Sequence, residues 1–325
     1  MSENAIKIGV SDCDRMRPLV DGTVKIDNVA ASFHLLPVQD LFNKQLTEHT
    51  FDCCEFPLAT FLRTLEAPEK RYVAVPIFPS RHFRLACVFV NRRSGIKAPA
   101  DLAGRKVGVP VFDMAAAVWL RGMFEEYYGL DRTAPIYVTG GLEHARVGDE
   151  HPQFYPDKFK VERATPSLAA MLESGEIDAL YTARAPSTFK PGSDVVRLFD
   201  DPKTADMEYF KKSGIYPPMH IVCLKRSIFE RQPGIGLRLF AAFREAQIVA
   251  RQRIYDSAAL SVMLPWLLEH LFETERLLGQ DYWSAGFAAN RATLAKFIEY
   301  MRDDGLVTTA FTPEDLFADK QLLTT

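Results

Sequence analysis

The stretch from Ile77 to Val109, IFPSRHFRLACVFVNRRSGIKAPADLAGRKVGV, most constrains what this chain can fold into. A proline-broken turn carrying Arg81, His82 and Arg84 runs straight into Leu85 to Val90, an apolar run of strand length. Polar residues Asn91 to Ser94 close that run. Pro99 and Asp101-Leu102-Ala103-Gly104 then predict a short helical turn stopped by glycine, and Lys106 to Val109 predicts a second strand. A strand that leaves a cationic loop and leads into a new βα unit is expected where a chain crosses from one α/β lobe to another.

Length supports the division. At 325 residues the chain exceeds what one core usually serves, so two lobes of roughly 100–200 residues each are expected. Their expected extents are 1–90 with 200–325 for the first, discontinuous lobe and 91–199 for the second. The 47% apolar and 25% charged shares are those of a soluble globular protein. A net charge of −3 with both signs interspersed leaves no basic face for nucleic acid, and no run approaches the ~20 apolar residues of a membrane span. Strand-like Ile6 to Val10 follows the first residues directly, without the basic and apolar regions of a secretory leader, so a cytoplasmic protein is expected. Five cysteines, an odd number in apolar surroundings, read as reduced buried thiols. Cys53 and Cys54 are neighbours on a strand and point to opposite faces, which argues against a shared metal or redox site.

Taken in order, strand Ile6 to Val10 leads into SDCDRMRPLVDG, which carries Arg15 and Arg17 where open α/β sheets bind ligands. The same arginines can pair with Asp12 and Asp14 in a solvated turn. Val29 to Leu36 reads as a strand, Pro37 to Leu46 as a helix, Phe51 to Phe56 and Tyr72 to Phe78 as strands. Glu55 falls among apolar neighbours, and a carboxylate buried alone costs several kcal/mol, so it is paired with an arginine or it works. In the second lobe Asp113 is expected to cap a helix that Gly129 ends, with the amides of Met114 to Ala116 favouring an anion. Leu142 to Phe159, with His144 and His151, reads as a surface excursion. Leu168 to Leu172 reads as a helix stopped by Gly175, and Ile177 to Tyr181 as a buried strand. A final strand within Gly214 to Leu224 follows the Pro217-Pro218 break, and His220 stands where it starts. A histidine there is more often a satisfied core residue than a catalyst. Leu237 to Ile254, Leu260 to Leu278 and Thr293 to Asp304 are helical by their apolar spacing, and Trp266 and Trp283 are assigned to the core. Alternating short strands and capped helices place the chain in the α/β class. Phosphate-cradling glycine loops, His-Glu-x-x-His, Cys-x-x-Cys and a nucleophilic serine elbow are all absent.

The crossover pattern resembles that of the type II periplasmic-binding-protein fold, which implies two lobes around an interdomain cleft. The chain as a whole resembles the 4,5-dihydroxyphthalate decarboxylases. D-x-D-R-x-R at Asp12 to Arg17, IFPSRxFR at Ile77 to Arg84, AAVWLRG at Ala116 to Gly122, SGEIDAL at Ser174 to Leu180 and GIYPPMH at Gly214 to His220 carry that likeness. Pro57, Ala59, His82, Leu85 and Ala115 depart from the family pattern at expected cleft positions and bear on the identity of the substrate.

The resemblance implies decarboxylation of a hydroxylated aromatic dicarboxylate such as 4,5-dihydroxyphthalate. Protonating the carboxylate-bearing carbon first, with a para hydroxyl pushing electron density, needs no metal, pyridoxal or flavin. A clamp of Arg81 and Arg84 with Arg15 or Arg17, an acid/base pair of His220 and Glu55, and His82 as rival acid are expected. Ser80 and Asp113 join the substrate contacts, with Phe83 and Met114 as apolar ones. The other reading is a non-catalytic binding protein for a small aromatic or aliphatic carboxylate. Self-association is left open.

Overall fold

The computed structural model describes residues 5–146 and 154–325, so His151 and part of the expected excursion lie outside the described residues. The chain forms two compact units, one of residues 1–81, 218–295 and 311–325, the other of residues 82–217 and 296–310.

Among the described residues the strands are β1 (Ile6–Val10), β2 (Ala31–Leu35), β3 (Cys53–Pro57), β4 (Tyr72–Val75), β5 (Val88–Asn91) and β6 (Lys106–Val109). They continue with β7 (Ile136–Thr139), β8 (Lys160–Arg163), β9 (Ala179–Tyr181), β10 (Val195–Arg197) and β11 (His220–Lys225). The first unit holds a five-stranded sheet in the order β2-β1-β3-β11-β4, parallel except for β11, which runs against β3 and β4. The second holds a six-stranded sheet in the order β10-β5-β9-β6-β7-β8, with β5 antiparallel to both its neighbours. Both are mixed α/β sheets, the class the strand and helix alternation predicts.

The helix Ile235–Tyr255 explains how the first sheet is held. Its Ile235, Leu239, Ala242, Phe243 and Ala246 recur at helical spacing and pack on Ile8, Val10, Cys53, Val75 and Val222 of the sheet. Each large side chain so buried stabilises by ~1.5–3 kcal/mol. In the second unit the helix Ala115–Tyr128 is buried along its whole length from Ala115 to Phe124, and Gly129 ends it with φ 70°. A Cβ on its Gly122 would collide with the Tyr300 ring, so only glycine lets that ring lie against the backbone.

Several local expectations are corrected. Leu85–Cys87 is a 3-10 turn and the strand begins at Val88, because an apolar run alone cannot distinguish the two. Asp113 does not cap the following helix. The chain turns at Val111 to Met114, where the Met114 N–H bonds the Val111 carbonyl, and extended Met114 takes the capping position. The helix expected from Leu260 begins only at Leu267, since Pro265 restricts Leu264 and ends any helical run there. Trp266 is not core: it is 73% exposed and its φ is 60°. Among the described residues no helix is long and apolar enough to cross a membrane.

Candidate active site

One edge of the first sheet gathers residues far apart in sequence. Because β11 runs against β3, its first residue, His220, lies at the same edge as the carboxyl ends of β1 and β3. In that register His220 faces Pro57 and Val222 faces Glu55, so Glu55 and His220 share one face of the sheet as diagonal neighbours. Their side chains meet: His220 Nδ1 lies 2.5 Å from Glu55 Oε1. Ser11, the residue after β1, donates to Glu55 Oε2 from its hydroxyl at 2.5 Å and its backbone N–H at 3.1 Å.

Glu55 is 1% exposed, and its charge therefore depends on these bonds. Burial pushes its carboxyl up, but the hydrogen bond and charge of His220 and the two bonds from Ser11 outweigh burial and hold it below the ordinary glutamate value. With Nδ1 donating to the carboxylate, Nε2 of His220 is the ring atom left for exchange with a bound molecule. The ring of Phe42, on the helix Val38–Thr47, meets the imidazole edge-on at 4.9 Å between centroids and limits its rotation. A carboxylate that fixes an imidazole, which keeps a second nitrogen, is an arrangement for proton transfer.

The depressed Glu55 carboxyl sets a pH dependence with a definite sign. A carboxyl whose folded value lies below its unfolded one contributes stability above the unfolded value and loses it as pH falls through the folded value. The thermal midpoint is therefore expected to drop as pH is lowered below about 4.5, and Glu55→Gln should flatten that drop. Calorimetric scans from pH 7 to 3 check this, and equal slopes in both proteins would contradict it.

The other expected residues of this unit are placed as follows. Arg15 pairs with Asp14, donates from Nε to the Pro79 carbonyl and stacks on Trp283 at 4.5 Å. Arg17 pairs with Asp12, as a solvated turn would have it. Ser80 accepts at its carbonyl from the N–H of Met219 at 2.8 Å and of His220 at 3.4 Å, which ties it to the start of β11. Arg81 is buried, stacks on Phe78, and donates to Asn290 Oδ1 and, at 3.0 Å, to the Ser284 carbonyl. Its guanidinium thus pins the 284–290 turn. Arg81→Ala is expected to lower stability by on the order of 1–3 kcal/mol by leaving Asn290 Oδ1 without its donor, the Ser284 carbonyl keeping its bond from Asn290 Nδ2, measurable by urea unfolding. An unchanged midpoint would contradict it. Arg15 and Trp283 also line a cavity of about 570 Å³ with Arg244, Arg251 and Tyr282, and neither Glu55 nor His220 is among its lining residues.

In the second unit His82 bonds the Pro217 carbonyl through its N–H at 3.0 Å, and its Nδ1 faces the Phe83 carbonyl. Phe83 stacks on Tyr216 at 4.7 Å. Arg84 is buried with Nη1 3.8 Å from Cys87 Sγ. Asp113 and Met114 lie just ahead of the helix Ala115–Tyr128. Ser11 and Phe42 were missed by sequence reasoning, because a single serine after a strand and a single helical phenylalanine carry no spacing signal. Among the described residues no group of three or more His, Cys, Asp or Glu could hold a metal ion.

No family model matches the chain. It is 35% identical over 320 residues, 98% of this chain and 97% of the relative, to the 4,5-dihydroxyphthalate decarboxylase of Comamonas testosteroni. It is 36% identical over 214 residues, 65% of this chain and 83% of the relative, to the 4,5-dihydroxyphthalate decarboxylase of Pseudomonas putida. The solved periplasmic aliphatic sulphonate binding protein of Escherichia coli matches with a TM-score of 0.52 at 15% identity, covering 97% of this chain and 92% of that one. The desulfurization enzyme DSZB matches with a TM-score of 0.51 at 15% identity over 98% of each chain. These last two are likenesses of fold alone.

Proposed function

Because the chain belongs to the 4,5-dihydroxyphthalate decarboxylase family, we propose that it is a carboxy-lyase converting 4,5-dihydroxyphthalate to 3,4-dihydroxybenzoate and carbon dioxide. The observation that carries this reading is the buried Glu55 bonded to His220 at the ligand-binding edge of the first sheet.

Direct loss of carbon dioxide from the ring would leave an aryl anion in the ring plane, out of conjugation. The easier path protonates the carboxylate-bearing carbon first. With the hydroxyl para to that carbon ionised, the phenolate pushes electron density onto it, and an acid delivers the proton there to form a dienone. The carbon–carbon bond then breaks, its electron pair returns to the ring, and aromaticity is restored with hydrogen in place of carboxylate. We assign delivery of that proton to Nε2 of His220, with Glu55 holding Nδ1 and countering the charge of the imidazolium. Ser11 keeps Glu55 ionised by its two donated bonds. Arg15 and Arg17 are assigned to the carboxylate that stays, since a guanidinium fork matches it bidentately. His82 remains the rival donor, and Ser80, Phe83, Arg84, Asp113 and Met114 the further substrate contacts. Five free thiols, four of them buried, support a cytoplasmic location, which cell fractionation tests.

Comparing 4,5-dihydroxyphthalate with phthalate tests the reading. The dihydroxylated compound should be consumed, whereas phthalate, with no hydroxyl to push, should bind and remain intact. Equal turnover of both would reject the mechanism.

A further inference from the structure

From residue 256 to the end of the helix Leu267–Leu278 the first unit presents an apolar face to water. Leu260, Val262, Met263, Leu264, Trp266 and Phe272 are all exposed, Met263 wholly so. Of the helix itself only Leu271 is buried. The segment is held in place from beneath, where Arg251 and the Tyr255 hydroxyl, both on the helix Ile235–Tyr255, bond Glu275. Each of the six exposed side chains leaves on the order of 100 Å² in water. Summed over the segment this is ~600 Å² of exposed apolar surface, near the ~800 Å² that each partner gives to a stable interface.

We propose that this face binds a second copy of the chain across a two-fold axis, with the two Leu267–Leu278 helices packed antiparallel. The pattern of exposed residues on the helix argues for this occupant. Glu269, Phe272 and Arg276 are exposed at positions i, i+3 and i+7, one stripe with an acid at one end, a base at the other and an aromatic ring between. An antiparallel copy centred on Phe272 sets Glu269 of each chain against Arg276 of the other and places the Phe272 rings together at the axis. Such a stripe is its own complement, as a two-fold interface requires. A lipid surface is the poorer fit: no Lys or Arg occurs between Arg253 and Arg276, and Asp256, Glu269, Glu273 and Glu275 flank the apolar run.

Sedimentation velocity on the full chain over a dilution series tests the proposal. The wild type should sediment as at least a dimer in the micromolar range. Phe272→Glu should raise the dissociation constant by ~100-fold or more, because the axis duplicates each central loss. Glu269→Arg and Arg276→Glu should each raise it about tenfold, and the two together should restore it. The double exchange opposes the helix dipole, so recovery could not come from a stabler helix. All three substituted positions are at the surface, and a circular dichroism melt of each variant guards against unfolding. A wild type that is monomeric throughout, an oligomer that Phe272→Glu leaves intact, or a double exchange without recovery would overturn it. Binding of the monomer to phosphatidylcholine vesicles without self-association would overturn it in favour of a membrane surface.

Discussion

Replacing His220 with alanine is expected to lower kcat for 4,5-dihydroxyphthalate by ~10²- to 10⁴-fold while substrate binding persists, the loss typical of one positioned proton-transfer group. The imidazole has Nδ1 committed to Glu55 at 2.5 Å and its edge set by Phe42, so it is held in one orientation before substrate arrives. Glu55→Gln should fall within the same range, because an amide supplies neither the charge that steadies an imidazolium nor a fixed acceptor for Nδ1. The double variant should be little worse than His220→Ala alone, since the two side chains act as a unit. Steady-state kinetics with calorimetric binding checks this. Full turnover in both single variants would move the proton donor elsewhere, with His82 next in line.

Asp304→Ala is expected to produce the largest loss of stability, ~3–5 kcal/mol, because it strands the buried Arg121 guanidinium, whereas Arg132 keeps its pairs with Glu125 and Asp303. Asp304 has no exposed side-chain surface and receives Arg121 through Nε at 2.9 Å and Nη2 at 2.6 Å, and Arg132 through Nη1 at 3.0 Å. Arg121 also donates to the Phe112 carbonyl at 3.0 Å and stacks on that ring at 4.2 Å. The arginine is therefore fixed in place and cannot follow water once the carboxylate is gone. For a unit of this size the loss corresponds to a thermal midpoint lower by about 10 °C. A fall of only one or two degrees by scanning calorimetry would show that water reaches the site and hydrates the charges.

Much of the frame was legible in the sequence because its signals are local. Lys106 to Val109, Gly129 and Gly175 stand where strand composition and glycine stops put them. The helix Pro202–Ser213 was equally readable but passed over, although Asp201 caps it, Pro202 opens it, Lys211 and Lys212 close it and Gly214 ends it. What escaped depends on register or on exposure. Glu55 was read from its neighbours as a buried carboxylate that pairs with an arginine or works, and it was put with His220 as an acid/base pair through the family resemblance; the two are 165 positions apart and bonded. Only the antiparallel pairing of β3 with β11 brings the two together, and no spacing rule encodes it. Arg81 carries the opposite lesson: a cation in a suggestive loop has its bonds to Asn290 and the Ser284 carbonyl, more than 200 residues downstream. Trp266 was taken as core because tryptophan usually is, whereas here it stands on an apolar face open to water.

The central claim is that the first-unit pair carries a decarboxylation, and one assay addresses it most directly. The purified protein is incubated in deuterated water with 4,5-dihydroxyphthalate labelled in its carboxyl groups. Released carbon dioxide and the deuterium content of the aromatic product are then measured for wild type and His220→Ala. The account predicts stoichiometric carbon dioxide from the wild type, one deuterium at the carbon that lost the carboxylate, and release reduced at least ~100-fold in the variant. A wild type that binds the compound tightly yet releases no carbon dioxide would contradict it and mark the chain as a carboxylate-binding protein.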